Sequence, residues 1–325
     1  MATYAGIDGS ITIYTGSWYM KLPFKSESIN PKYRTTVTSD AVTGKRGKLG
    51  LFINGRAYEG SIDLEVFDMT DSSGATYKHA LLGFLFYLAL GSYTAGTGKI
   101  VLGTSAPKID AIKIDHGDST NGVIYYKDAY VTGFSYRAPA DGVPTVTLDI
   151  RATSMNTTYS PTATINLNKA DFKSFYRPSD YTMSLGTGST WADMTSLITN
   201  LELSTSMDTL EGSAGFGNPV DLPIAPGLMD AWDITVEFNF NNLKDINTWT
   251  SLKTALTGGK ACTEDIKLDI DSPMKTGTKA TLLITKPFVT EFNHDMSSTD
   301  FLRGKLALKV PADGIELSGV LFPAS

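Results

Sequence analysis

Three histidines, a single cysteine and a few clustered carboxylates are the side chains from which any reaction centre would be built, and their spacing decides what they can do. His79, His116 and His294 stand far apart, without the His-x-x-x-His or Glu-adjacent spacing that brings metal ligands together. Cys262 is alone, which excludes an intrachain disulfide and a cysteine-based zinc cluster, so it reads as a small buried residue. Asp115-His116-Gly117-Asp118, and Asp269 with Asp271 alternating on a strand, offer oxygens to a cation. Neither fits the calcium loop, and solvated turn carboxylates are the plainer account. The Gly-x-Ser-x-Gly elbow of hydrolases does not occur. The glycine run Gly212 to Gly217 has no Gly-Lys-Ser or Gly-Lys-Thr and opens no helix, so it reads as a flexible loop rather than a phosphate cradle. His79 sits in a helical stretch without a partnered base, which favours packing over catalysis. The expectation is a chain with no catalytic residue, no metal site and no cofactor, and therefore not an enzyme.

Elements of period two carry these residues. Tyr58 to Phe67 places Ile62, Leu64 and Val66 on one face and Asp63 and Glu65 on the other, the pattern of a strand with one buried side. Further strands are predicted at Ile11 to Tyr14, Lys99 to Leu102, Ala111 to Ile114, Val123 to Tyr126, Ala129 to Tyr136 and Thr145 to Ala152. Turns are signalled by His116-Gly117-Asp118 with Asn121-Gly122, and by Ala140-Asp141-Gly142. One helix is predicted from Thr76 to Leu90, capped by Asp71-Ser72-Ser73 and stopped at Gly91. Its stripe of Tyr77, Leu81, Phe84, Leu85 and Leu88 leaves Leu82, Phe86 and Leu90 over. An all-round apolar helix is either deeply buried or covered by a neighbouring subunit, and these three residues are the candidates for subunit packing.

The second part of the chain repeats that order. Strands are predicted at Leu197 to Ser204, Trp232 to Phe240, Ile266 to Ile270, Ala280 to Phe288, Val289 to Asn293, Gly304 to Val310 and Glu316 to Leu321, with a helix from Leu243 to Leu256 ended by Gly258-Gly259. Tyr130-Val131-Thr132-Gly133-Phe134 is echoed by Phe288-Val289-Thr290-Glu291-Phe292, and in each case a leucine follows fourteen residues after the last phenylalanine, Leu148 and Leu306. Ile62 to Val66 matches Ile234 to Phe238. The expected fold is mainly β, a tandem duplication of sandwich or barrel-type units of α+β character with one helix each. The boundaries read 1–155 for the first unit, 156–190 for a linker carrying a short strand at Ala163 to Leu167 and a turn at Lys169 to Tyr176, and 191–325 for the second. Each unit also holds a long, weakly patterned excursion, Lys25 to Leu49 and Ser206 to Asp230, and loops of that length inside compact domains are usually functional.

The 325 residues suffice for two cores. Charged residues are 19% and hydrophobic residues 42%, with 30 glycines, as in a globular chain rich in turns. A net charge of -6 gives no electrostatic reason to bind nucleic acid or an anionic membrane. The three cations of Lys45-Arg46-Gly47-Lys48 form either a solvated loop tip or a contact to an acidic patch on a neighbour. Asn156-Thr157-Thr158 fits a glycosylation pattern that means little without a signal segment, and Met1 to Gly6 predicts none. The longest apolar run, Ala80 to Leu90, falls short of the roughly 20 residues of a membrane helix. The expectation is a soluble protein made in the cytoplasm.

Two strand-rich halves, each with one helix against a sheet and one long early excursion, resemble the tail tube proteins of long-tailed bacteriophages over about Ile11 to Leu321. The resemblance is architectural and no short motif carries it. It implies a self-assembling, structural virion protein. Six tube domains form a ring whose inner strands close a barrel, and rings stack through long loops. With the domain duplicated, three copies supply six units, giving a homotrimer that is sixfold in outline. The resemblance further implies other tail proteins as partners, assembly in the host cytoplasm, and viral DNA passing through the lumen without being held. The outward acids Asp63, Glu65, Glu237 and Asp149 suit such a lumen. Stacking contacts would fall on the excursions, at Tyr33, Arg34, Val37, Lys45, Arg46, Lys48, Phe216, Val220 and Leu222. The alternatives are another virion ring protein, of the tail tip or head decoration, and a carbohydrate-binding, adhesive β-sandwich.

Overall fold

The computed structural model describes residues 9–33, 36–39, 49–53, 55–73, 75–117, 122–168, 174–195, 198–211, 221, 224–240, 264–285, 287–295 and 302–323. The first half comprises β1 (Ser10–Thr15), β2 (Trp18–Leu22), β3 (Phe24–Glu27), β4 (Asn30–Tyr33), β5 (Thr36–Ser39), β6 (Leu49–Ile53), β7 (Arg56–Glu65), helix α1 (Ala80–Leu90), β8 (Gly91–Thr94), β9 (Lys99–Leu102), β10 (Ile109–Asp115), β11 (Val123–Pro139) and β12 (Thr145–Asn156). Then come β13 (Ile165–Asn166), β14 (Tyr181–Thr187), β15 (Thr190–Asp193), β16 (Ile198–Glu211), β17 (Ile224–Met229), β18 (Trp232–Phe240), β19 (Asp265–Asp271), β20 (Lys279–Ile284), β21 (Phe288–Asp295), β22 (Leu302–Val310) and β23 (Ile315–Ser318).

The fold is mainly β, as the alternation requires. Fourteen strands form one sheet, whose main path is β13-β2-β1-β10-β11-β16-β18-β22-β21, with β12, β7, β3, β4 and β17 branching from it. Seven form a second sheet in the order β15-β14-β19-β20-β23-β9-β8. Both sheets are open along these paths. Two segments of the 156–190 stretch are held by pairing. Ile165 pairs in parallel with Trp18, and Tyr181 to Gly186 run antiparallel to Ile270 to Asp265.

The repeated sequence has a repeated geometry. In the first half β12 lies between β11 and β7; in the second, β22 lies between β21 and β18. Phe134 pairs with Leu148 and Val131 with Ile150, with a register shift between Val131 and Gly133. Phe292 pairs with Leu306 and Val289 with Leu308, with the same shift between Val289 and Glu291. The Val-Thr-x-Phe segment is thus a bulged strand in both halves, with one threonine inserted in the ladder. The third strand differs. Leu148 faces Ile62 whereas Leu306 faces Val236, so the counterpart of Ile62 is Val236, two residues beyond the Ile234 that sequence alone suggests. A slip of two keeps every side chain on its original face, which is why the apolar pattern does not reveal it.

Helix α1 fills the space between the sheets in the first half, touching β8 and β9 of the smaller sheet and β11 of the larger. Phe86 packs its ring on Phe134 at 5.0 Å and Tyr136 at 5.8 Å. Leu82, Phe86 and Leu90 are each 1% exposed within the single chain. Deep burial, not a neighbouring subunit, therefore explains the all-round apolar helix, and their subunit-packing role is withdrawn. The helix also begins later than predicted. The Asp71 carboxylate accepts the backbone N–H of Ala75, Thr76 and Tyr77, closing a local turn instead of capping the helix. His79, left-handed at φ 45, stands at the N-cap, and Gly91 at φ 92 ends the helix as expected. The matching Leu243 to Leu256 helix lies outside the described residues. In the second half, the two sheets meet directly through Met183, Leu185, Ile198, Val236, Ile266 and Leu306.

Other boundaries move for local reasons. Val123 to Tyr126 and Ala129 to Tyr136 are one strand, bent where Asp128 takes φ 51. The strand predicted from Ala280 to Phe288 stops at Ile284 because Thr285 N–H turns to the Gly314 carbonyl. The last strand ends before Gly319, which is left-handed at φ 76. Beyond it, Leu321 exchanges two 2.8 Å backbone bonds with Lys78, at the start of the first-half helix.

The described residues of the excursions, expected to be weakly structured, are largely strands. Lys25 to Leu49 holds β4, β5 and most of β3, and Ser206 to Asp230 holds the end of β16 and all of β17. Their sequences do not alternate, because edge strands borrow their pairing from a longer neighbour rather than from a buried face of their own. Close approach at Gly60 makes this possible: a Cβ there would lie 2.3 Å from the Ser28 carbonyl oxygen and 2.6 Å from Ile29 Cα. Both are backbone, so neither can swing aside. Gly60→Ala should destabilise the fold by about 1–3 kcal/mol, the usual cost of overpacking, and loosen the Tyr126 hydroxyl bond to the Ile29 carbonyl, now 2.9 Å. Chemical denaturation checks it; an unchanged midpoint would refute the close approach.

Candidate assembly surface

The two excursions converge, although they are far apart in sequence. Strand β16 continues past the sheet as an arm paired with β17 through Met207↔Met229 and Leu210↔Ala225. The arm touches β11 and β12 of the first half, and beyond Glu211 the chain returns at Asp221. There the Asp221 carboxylate accepts Arg56 Nε at 3.0 Å and Nη2 at 2.8 Å. Arg151 donates to Thr209 on the arm and approaches Glu59 at 3.0 Å, while Lys32 reaches the other oxygen of Glu59 at 3.1 Å. Arginine suits this task, since its fork satisfies two acceptors at once.

Beside these contacts lies a groove of about 590 Å³ whose lining includes Ser28, Lys32, Glu59, Asp149, Arg151 and Thr209. Of its two acids, Asp149 has Asp63 as a neighbour outside the lining. Asp63 accepts Ser26 Oγ at 2.5 Å and Thr147 Oγ1 at 2.8 Å. Partial burial, and then the neighbouring Asp63, push the Asp149 carboxyl above its ordinary range. Glu65 is 3.5 Å from Lys25, and Glu237 pairs across the ladder with Asn200 and Lys305. On the arm itself, Leu210 is 64% and Leu228 84% exposed. Both are large aliphatic side chains held out on the β16–β17 pair.

Of the residues predicted for stacking, Tyr33 pairs with Arg56 in β4 and Val37 with Phe52 in β5, as backbone placements. Arg34, Lys45, Arg46, Lys48, Phe216, Val220 and Leu222 lie outside the described residues, as do Cys262 and Gly212 to Gly217. Arg56, Arg151, Thr209, Asp221, Leu210 and Leu228 were not singled out by sequence, and only the isolated leucines in a polar stretch carried a signal.

Among the described residues the candidate chemical groups are not brought together. His79 is fully buried, and His116 closes a hairpin through its backbone N–H to the Gly122 carbonyl at 3.0 Å. The side chain of His294 lies outside the described residues. Asp269 accepts Thr281 Oγ1 at 2.6 Å between Lys267 and Lys279, so cations from the chain itself already surround it. Asp115 takes Lys113 Nζ at 3.1 Å, and this contact together with the Gly117 N–H holds its carboxyl below the usual range against the opposing pull of partial burial. Asn156 accepts both the N–H and the hydroxyl of Thr158 in a local turn. Among the described residues no group of three His, Cys, Asp or Glu side chains is placed to hold a metal ion, and no helix is long and apolar enough to cross a membrane.

The arrangement defines a mainly β chain with one arm, β16–β17, tied to the first half through Arg56 and Arg151. No protein-family model matches the sequence, and no curated protein does. Among solved structures, 47% of this chain is similar to 93% of a chain in the cryo-EM structure of the anti-feeding prophage baseplate, at 9% identity and a TM-score of 0.32. A likeness of that size carries no argument about function.

Proposed function

We propose that this chain is a structural virion subunit that self-assembles into stacked rings forming a hollow tail tube, through which viral DNA passes without specific binding. The observation that carries this reading is the pair of three-strand units with the same bulge and the same strand order. Such a pair behaves as a tandem duplication, and three copies then supply six equivalent wall segments in a homotrimeric ring of pseudo-sixfold outline. Open sheets support it too. Among the described residues β21 has a partner on one side only, and such an edge is a hazard in a monomer and an asset in a closed ring. The β16–β17 arm, with Leu210 and Leu228 outward, is the surface by which rings stack, and other tail proteins meet the same surface at the tube ends. The role is mechanical rather than catalytic.

Electron microscopy and light scattering of the purified chain test the reading. The expected result is rings that join into tubes, and Leu210→Asp with Leu228→Asp should stop assembly at single rings. These leucines are exposed, so the double variant should fold normally, with an unchanged denaturation midpoint. A chain that stays monomeric across concentration and salt overturns the proposal. Rings that never stack would assign it instead to a single-ring component such as a tail tip.

A further inference from the structure

Inside the core, one polar array joins three remote segments. The Asp68 carboxylate accepts Thr70 Oγ1 at 2.6 Å, the Ser272 hydroxyl and the Met274 N–H at 3.2 Å. The Tyr176 hydroxyl lies 2.7 Å from His79 Nδ1 and 3.5 Å from Asp68 Oδ1. His79 N–H donates to Thr70 Oγ1 at 3.0 Å, and Asp68 N–H to the Ser174 carbonyl at 3.0 Å. The stretch before the helix, the segment around Tyr176 and the turn after β19 thus share one cluster, and Asp68, Thr70, His79 and Tyr176 are at most 2% exposed.

We propose that the Asp68–Tyr176–His79 array is a proton-operated joint, holding these three segments together at neutral pH and loosening them in acid.

The geometry supplies the mechanism. In the Nε2–H tautomer of the neutral ring, Tyr176 donates its only hydroxyl proton to Nδ1, while Nε2 makes no hydrogen bond of normal geometry. A proton taken from solvent onto Nδ1 turns that nitrogen from acceptor to donor. The Tyr176 hydroxyl hydrogen must then swing to Asp68, along the longer 3.5 Å contact, and a full positive charge is left in the core. Burial holds the imidazole below its ordinary range, opposing the upward pull of Asp68, 3.8 Å away, and of the Thr278 carbonyl and Asp271; Lys78 adds to the downward shift. On the far side of Tyr176 stand Tyr136, Tyr181 and Asp180, and burial together with Asp68 holds the Tyr176 phenol protonated, so it can serve as donor throughout.

The sign follows from linkage. A histidine whose folded-state value is depressed binds fewer protons folded than unfolded, so stability is full above the ordinary value of 6.5 and falls as pH drops below it. Each unit of depression corresponds to about a tenfold change in the opening equilibrium.

Hydrogen exchange of the full chain from pH 7.5 to 5, corrected for intrinsic rates, tests this. Segments 174–180 and 272–279 should lose protection at least about tenfold more than the strands around Trp232, and His79→Gln should remove that excess. Equal acid sensitivity in wild type and variant overturns the proposal. Should the variant fail to fold, the wild-type His79 ring resonance decides, because titration at the ordinary histidine position would equally overturn it.

Discussion

Phe322→Ala is expected to destabilise the chain by about 3–5 kcal/mol, the range for truncating a fully buried aromatic ring. Phe322 has no exposed surface. Its ring stacks on Tyr93 at 3.9 Å and meets Trp18 edge-on at 5.3 Å. The backbone around it is equally engaged, with Tyr93 Oη donating to the Phe322 carbonyl at 3.0 Å and accepting its N–H at 3.1 Å, and Trp18 Nε1 donating to the Pro323 carbonyl at 2.8 Å. The ring lies against the helix as well, since a Cβ on Gly83 would sit 3.2 Å from it. Little can collapse into the space, because three aromatic rings and a helix glycine border it. Urea denaturation followed by tryptophan fluorescence gives the value, with Trp18 reporting the site directly. A loss under about 1 kcal/mol would mean that this segment merely rests on the surface.

That contact shows what the sequence pattern could and could not reveal. The alternation of Ile62, Leu64 and Val66 was legible because a strand with one wet face must alternate, and all three are buried. The repeat was legible because a bulged strand and its partner need the same residue types at the same spacing in both halves. Phe322 was not, since a single aromatic after the last strand has no period, and its partners Trp18, Tyr87 and Tyr93 are more than 200 residues away. The assembly surface divides in the same way. Two long excursions could be seen as unusual, but Arg56 finding Asp221 across 165 residues is a product of topology, and no local rule encodes it. The helix cap failed for a different reason. Asp71 has ideal capping chemistry, yet a nearer set of amide groups reached it first.

Topology also explains why the halves are coupled rather than merely tethered. Strand β16 pairs with β11 along Gly133 to Pro139, so the larger sheet is continuous from one half to the other. In the smaller sheet, β23 pairs with β20 on one side and β9 on the other. A ring built from such chains would therefore carry rigid joints within each copy and softer ones between copies, since only the latter lack a shared core.

Asp68→Ala should cost about 2–6 kcal/mol, about 1–3 for each of the two buried hydroxyls that lose their acceptor. Alanine leaves the buried Thr70 and Ser272 hydroxyls without their carboxylate acceptor and leaves the Met274 N–H only its 3.2 Å contact to Ser272 Oγ. Asp68→Asn should cost less, about 1–3 kcal/mol. One amide oxygen can still serve Thr70, and Ser272 can turn to accept from the new amide, but Met274 N–H then faces a donor. The order of the two variants separates a hydrogen-bonding role from a space-filling one. If the carboxylate only filled volume, asparagine would be nearly neutral by denaturant midpoint, whereas a cluster held together by its acceptors requires asparagine to fall clearly between wild type and alanine.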